Sequence, residues 1–240
     1  MPTATIAKRM RQSCCAMLLS AATLMSQKPP PTYIAVVSGQ DVHVTGSMMM
    51  VNGGIAAASG ARIEAAKHNA LLRLTRGGEL ALCQTSALLL DARGSQLWLA
   101  LQSGTIEGRF PLSAGADSLL TPDYRLTLIS GSGMPGQMAD FRVGIGPHGD
   151  LLVQVLASSQ AYITVSSNFE PMQAVVRPGE VRGFPAFGSD ATAAQVVTAV
   201  PLQCPVEPSQ NQALSASLGH EPVPPNTLNI PLAYRAPELP

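Results

Sequence analysis

The sequence predicts an all-β fold built from short strands. Between residues 42 and 107, short runs of alternating apolar and polar residues follow one another, and a glycine or asparagine closes each run. Glycine supplies the positive φ that tight turns need, and the pair Asn52-Gly53 is a strong signal for a short hairpin. Charged residues make up only 12% of the chain, which also holds 21 glycines and 20 prolines. This composition is more typical of a turn-rich β protein than of a helical enzyme.

The predicted strands of this stretch are only three to five residues long, and they cover 42–44, 48–51, 62–64, 71–74, 80–83, 87–90, 97–101 and 105–107. A helix over 55–74 is the competing interpretation, because that segment is rich in alanine. Gly60 interrupts it, and Leu72 and Leu74 alternate with polar neighbours, so strands are favoured. Further strands are expected at 109–112, 119–122, 124–129, 140–145, 151–156, 161–165 and 181–184.

Residues 1–26 resemble an export signal. Three basic residues, Lys8, Arg9 and Arg11, precede an apolar run over 14–25, and small residues permit cleavage after Ala22. The apolar run is shorter than the roughly 20 residues that span a bilayer. We therefore expect a cleaved signal and a periplasmic or secreted protein. An uncleaved anchor and a frayed start of the chain are the alternatives.

The rest of the chain divides into three predicted parts. Residues 27–41 form a linker that begins with a proline-rich spacer and in which 33–37 could add an edge strand. Residues 42–187 form the β domain. Residues 188–240 are predicted to be a disordered tail, with at most a residual strand at 195–200, because nine of the 20 prolines fall between Pro201 and Pro240.

Cleavage of the signal would leave two cysteines, Cys83 and Cys204. An oxidising compartment permits a disulfide between them. Because Cys83 belongs to a strand pattern and Cys204 to the predicted tail, a buried, unpaired thiol at Cys83 is the favoured interpretation.

No residue pattern indicates catalysis, a metal or a cofactor. The four histidines are scattered, and no G-x-S-x-G sequence occurs. Two G-x-G-x-x-G runs, at 131–136 and 144–149, lack room for the helix that a dinucleotide site requires, so they are predicted to be turns. A formal net charge of zero argues against nucleic-acid binding. The sequence therefore predicts a protein that is not an enzyme and holds no cofactor or metal.

Trp98 is the one candidate contact residue. It alternates with Leu97 and Leu99, so it faces the opposite side of its strand. If the leucines point inward, Trp98 lies on the outer face, where it could anchor a partner. Cover by a neighbouring loop or tail is the alternative.

The order of elements resembles the FecR-like domain, a resemblance that covers about residues 42–184. The matching features are Gly46, the Val51-Asn52-Gly53 turn, paired strands at 70–74 and 78–82, an L-x-L-x-x-G-x-hydrophobic pattern within 97–107, and a closing Pro-Gly-Glu turn within 175–180. Residues 60–65 correspond to the family's Gly-Asp-x-Ile-x-Thr motif, with Ala61 and Ala65 in place of Asp and Thr.

The resemblance implies a stack of short strands, arranged either as a solenoid or as a twisted sandwich. FecR-like domains occur in the periplasmic part of iron-responsive anti-sigma regulators and in other exported bacterial proteins. We expect an exported, non-enzymatic module that binds a protein or envelope partner through a strand edge or face, with no sigma-binding segment. The alternatives are a membrane-anchored scaffold piece and a carbohydrate-active or other surface enzyme on a β-helix, whose acids would come from Asp117, Asp123, Asp140 and Asp150.

Overall fold

A computed structural model describes residues 32–200 and 202–204. These residues form sixteen strands and one short helix, which confirms the all-β class. The elements are β1 (Tyr33–Ser38), β2 (Val42–Thr45), β3 (Met48–Val51), β4 (Gly54–Ala58), β5 (Ala61–Ala65), β6 (Ala70–Leu74), β7 (Glu79–Leu82), β8 (Ser86–Arg93), β9 (Gln96–Pro111), β10 (Asp117–Leu120), β11 (Tyr124–Ser130), β12 (Met138–Ile145), β13 (Leu151–Val155), β14 (Ala161–Ser167), β15 (Gln173–Val176), β16 (Val181–Phe184) and α1 (Ala193–Ala199).

The strands form two layers that share β9. Sheet I has the order β3-β4-β1-β6-β7-β9-β12-β13-β16. Sheet II has the order β2-β5-β8-β9-β10-β11-β14-β15. Neighbours in both sheets are antiparallel except for the parallel pair β9 and β10. The sheet is not closed, so each layer ends in free edge strands.

One hydrophobic core lies between the two layers. Leu72 and Leu80 of sheet I and Ile63 and Leu88 of sheet II are fully buried members of the same cluster. Along each of their strands the neighbouring residues point the other way, as the period of two requires. Of the two arrangements that the sequence predicts, the solenoid and the twisted sandwich, the structure therefore has the twisted sandwich.

The predicted break between strands at Ser103-Gly104 is wrong, because β9 continues through these residues as one long strand. Residues 96–103 pair with β8 in sheet II, whereas residues 104–111 pair with β12 in sheet I. The register with β8 shifts at Gln102, which has no partner on β8, and the nearby Gly104 adopts a φ of +80°. A glycine beside a bulge carries the same local signature as a turn glycine, and here β9 passes from one layer into the other.

The predicted linker over 27–41 is wrong for residues 33–38. These residues form β1, which lies between β4 and β6 and is therefore internal to sheet I rather than an edge strand. Ile34, Ala35 and Val37 are buried in the core. The sequence of six residues does not encode where in the sheet they pair.

The predicted disordered tail over 188–240 is wrong for its first part. Thr192 caps α1, and Gln195 completes a capping box, so residues 195–200 begin as helix rather than as the expected strand. Val196 and Val200 pack on Leu152, on the outer face of sheet I. We call residues 193–200 and 202–204 the C-terminal strap.

The strap ends in a disulfide between Cys204 and Cys83, with a Cα–Cα distance of 4.9 Å. The favoured interpretation of Cys83 as an unpaired thiol is therefore wrong. The predicted signal over 1–26 and the tail beyond residue 204 lie outside the described residues.

Candidate functional site

The free edge of sheet I at β3 exposes three consecutive methionine side chains. Met48, Met49 and Met50 are exposed by 51%, 49% and 77%. No charged residue occurs between Gly46 and Gly60. The edge strand and its hairpin partner β4 thus present an uncharged surface to the solvent.

The hydrogen-bond register fixes which backbone groups of β3 are free to pair. Ser47 accepts a hydrogen bond from the Ala58 N–H at 2.9 Å, and Met48 lies opposite Ala57. Bonded and non-bonded pairs alternate along an antiparallel ladder, so Met49 and Val51 bond to β4. The N–H and C=O groups of Met48 and Met50 therefore point away from the sheet.

Most edge strands carry a feature that prevents pairing with another chain, such as a charge, a proline or a cover. The opposite edge of sheet I, β16, carries Arg182 and packs against α1. In sheet II, Pro171 and Pro178 flank the edge strand β15. The edge at β3 has none of these features among the described residues.

Trp98 lies on the outer face of sheet II, opposite the buried Leu97 and Leu99, as the alternation predicts. The guanidinium carbon of Arg93 is 4.2 Å from its ring centroid, and that of Arg125 is 5.1 Å away. The indole N–H is buried and has no hydrogen-bond partner among the described residues. Among the described residues, two arginine side chains therefore lie over the ring. A partner contact at Trp98 stays a prediction.

A cleft of about 400 Å³ opens at one end of the sandwich, where β1 begins. Its wall includes Arg76, whose two terminal nitrogens each donate to an oxygen of Asp117 at 2.8 Å. Asp117 is 1% exposed and also accepts a hydrogen bond from the Leu97 N–H at 2.7 Å. Arg76 also donates to the Ser95 carbonyl at 3.3 Å, whereas its Nε is buried without a hydrogen-bond partner among the described residues. The pair joins the turn between β6 and β7 to the start of β10. No sequence signal indicates it, because the two residues are 41 positions apart.

The other candidate acids also hold loops in place. Asp123 and Asp150 accept hydrogen bonds from the successive N–H groups of Phe187 and Ala186, each at 2.9 Å. Asp140 accepts from the hydroxyl of Ser158 at 2.6 Å. These hydrogen bonds fix the path of the chain at the loops that they hold.

Tyr124 lies beside the loop that Asp123 and Asp150 hold, and its hydroxyl donates to the Pro185 carbonyl. Burial is the main cause that raises the pKa of this hydroxyl above its ordinary 10.0, and the nearby carboxylates of Asp123, Glu170 and Asp150 add to the effect. The hydroxyl is therefore a neutral hydrogen-bond donor that ties β11 to the segment after β16.

The Gly-rich runs act as turns, as predicted. Residues 131–136 connect β11 and β12, and residues 146–149 form the turn between β12 and β13. A strand rather than a helix follows each run, so neither run provides the helix N-terminus of a dinucleotide site.

Cys83, Glu107 and Cys204 bring three potential metal-ligating atoms within 4.8 Å of one another. Both sulfurs are joined in the disulfide. Glu107 accepts from the Cys204 N–H at 2.8 Å and from the Arg142 Nε at 3.2 Å. The disulfide and the Glu107 hydrogen bond therefore attach the end of the strap to the end of β7 and to β9.

The comparisons with known proteins leave the family open. No protein-family model matches the chain, and no curated protein is significantly similar to it. The FecR-like resemblance therefore stays a prediction. Within residues 32–200 and 202–204, no helix has the length and apolar character needed to cross a membrane.

Proposed function

We propose that this chain is an exported, non-enzymatic module of FecR-like type that binds an extended segment of a partner protein by strand addition at β3. The observation that carries the proposal is the uncharged, uncovered β3 edge, where the N–H and C=O groups of Met48 and Met50 point outward. A strand added at β3 would form backbone hydrogen bonds with these groups, as a neighbouring strand within a sheet does.

The energetics indicate which groups decide affinity. Two residues with outward groups offer four backbone hydrogen bonds, worth about 4 kcal/mol in total at about 1 kcal/mol each. Association costs at least about the same amount in lost freedom. Burial of the three methionine side chains must therefore supply the net affinity, at about 1.5–3 kcal/mol for each side chain that becomes fully buried.

Methionine suits a surface that accepts more than one sequence. Its unbranched, polarisable side chain adapts to irregular neighbours. Met49 projects to the outer face of sheet I, whereas Met48 and Met50 project toward the core side at the open edge. The methionine side chains would thus contact a bound strand on both of its faces, and their flexibility would accommodate different partner sequences.

Two features support the exported setting. Residues 1–26 carry a basic start and an apolar run typical of a signal. The Cys83–Cys204 disulfide is of a kind that persists outside the reducing cytosol.

A proline substitution at the edge tests the proposal. Met50→Pro removes one outward N–H without breaking a bond to β4. Val181→Pro is the matched control, because Val181 lies on the opposite edge of sheet I. The Val155 N–H donates to Glu180, so by alternation the Val181 N–H also points outward. Val181 is 40% exposed.

The probe is a labelled octapeptide of alternating threonine and valine, titrated against the full chain by fluorescence anisotropy. Met50→Pro loses one outward hydrogen bond, worth about 1 kcal/mol, and the proline ring also obstructs close approach of the added strand. Binding should therefore weaken by about tenfold, since 1.4 kcal/mol is a factor of ten. Val181→Pro should bind as the parent does. Equal binding by the parent and Met50→Pro, or equal loss in both variants, would refute strand addition at β3.

A further inference from the structure

The strap crosses the outer face of sheet I in a defined direction. It begins over β16, where Gly183 lies so close to Val196 that an added Cβ would come within 2.9 Å of the Val196 Cβ. It passes Gly146 at the turn after β12 and ends at Cys83, directly after β7. The strands that follow in the same direction are β6, β1, β4 and β3.

The chain beyond the strap is long enough to reach the β3 edge. A strand added beyond β3 lies five strand spacings from β7, which is roughly 24 Å at about 4.8 Å per spacing. Residues 205–212 can span about 26 Å at about 3.3 Å per residue. Residue 213 can therefore lie at the free edge while Cys204 stays bonded to Cys83.

The segment that starts at this point has the composition of a strand. Residues 213–218 read Ala-Leu-Ser-Ala-Ser-Leu, so Leu214, Ala216 and Leu218 share one face in an extended chain. No proline and no Asp, Glu, Lys or Arg occurs from Ser209 to His220. Elsewhere in residues 205–240, prolines interrupt the sequence too often for a strand of this length.

We propose that residues 213–218 pair with β3 as an additional strand and close the free edge of sheet I within the same molecule. The inference rests on the proposed function, because both use the outward N–H and C=O groups of Met48 and Met50. A tethered strand acts at an effective concentration that reaches the millimolar range. A partner strand must displace it, so the tail lowers the apparent affinity of the edge for other chains.

Two full-chain double variants test the pairing. Leu214→Asp/Leu218→Asp places two charges on the apolar face of the segment, where they would disrupt its packing at the β3 edge. Leu228→Asp/Ile230→Asp is the matched control, with the same change of charge in another part of the tail. The readout is the rate at which hydrogen peroxide oxidises Met50 relative to Met134, measured by peptide mass spectrometry.

Met134 is the internal reference because it is 66% exposed in the loop between β11 and β12, whereas Met50 is 77% exposed in the described structure. A cover that is in place nine-tenths of the time slows oxidation of Met50 by about tenfold. We expect this protection in the parent and in Leu228→Asp/Ile230→Asp, and similar rates for the two methionines in Leu214→Asp/Leu218→Asp.

A Met50 to Met134 rate ratio that is the same in the parent and in Leu214→Asp/Leu218→Asp would overturn the inference. If Met50 is protected in both and sedimentation reveals a dimer, a second copy covers the edge instead. The octapeptide separates this outcome from the proposed function. If Met50 is exposed in Leu214→Asp/Leu218→Asp but this variant does not bind the peptide, the tail pairs with β3 and the proposed capture of partners is refuted. If the parent and this variant bind the peptide equally and have the same Met50 to Met134 rate ratio, capture of partners is supported and tail pairing is refuted.

Discussion

The disulfide that fastens the strap should be a large source of stability. Cys83 and Cys204 are 121 residues apart. Chain-entropy arguments give a loop of this length about 5 kcal/mol of stabilisation, because the bond restricts the unfolded chain. Cys204→Ser should therefore lower the free energy of unfolding by up to about 5 kcal/mol, a large part of the 5–15 kcal/mol typical of a whole domain.

The assay is urea unfolding followed by the fluorescence of Trp98, the only tryptophan in the chain. Three conditions should agree: the Cys204→Ser variant, the Cys83→Ser/Cys204→Ser double variant, and the parent protein treated with dithiothreitol. Each removes the same covalent bond, so their effects should not add. Dithiothreitol should leave Cys204→Ser unchanged.

Two results would refute this reasoning. The first is a parent protein that unfolds at the same urea concentration with and without reductant, since the bond then constrains nothing. The second is a double variant far less stable than Cys204→Ser, since the Cys83 side chain would then stabilise the fold without the bond.

Three further predictions concern other contacts. Arg76→Ala should destabilise the fold by about 3–5 kcal/mol in urea, because the buried Asp117 carboxylate loses its partner; a change below about 1 kcal/mol would show that the pair is dispensable. The pKa of Tyr124 is raised in the folded state, so the unfolded chain loses this proton first and stability falls as the pH rises from 10.0 through the folded pKa. Tyr124→Phe should lose less stability over that range, and equal slopes would contradict the assignment. Arg125→Ala should cost about 0.5–1 kcal/mol through its contact with Trp98, and a perturbed Trp98 emission spectrum should accompany the loss.

Local signals account for the parts of the fold that the sequence predicts correctly. The strand β6 could be predicted because Leu72 and Leu74 alternate with polar residues and because Gly77 and Gly78 close the run. Strand pairing is not local. Nothing in residues 33–38 indicates that they lie between β4 and β6, and the signature of Gly104 is the same for a turn as for a bulge.

The sequence contains a signal for the helix of the strap, but the proline content of the residues that follow favours a disordered tail. Thr192 and Gln195 form a capping box, and the two alanines between them favour helix. The prolines that follow favour disorder from residue 188 onward. The pairing of Cys83 with Cys204 depends on the path of the strap across sheet I, and a bond between residues 121 positions apart has no local sequence signal. The face of Trp98 follows from alternation, whereas its two arginine neighbours depend on strand order.

The candidate site is partly visible in the sequence. The uncharged run from Gly46 to Gly60 and its three consecutive methionines can be read directly. Their importance comes from topology, because β3 pairs with β4 and ends sheet I. The same residues in an internal strand would be ordinary core.

Amide hydrogen exchange at β3 in the Leu214→Asp/Leu218→Asp variant tests the central claim most directly. The amides of Met49 and Val51 should exchange slowly because they bond to β4, and those of Met48 and Met50 should exchange quickly because they face solvent. Added octapeptide should slow exchange at Met48 and Met50 only. Four equally slow amides without the peptide would mean that β3 is paired on both sides, and the account of a free edge would be wrong.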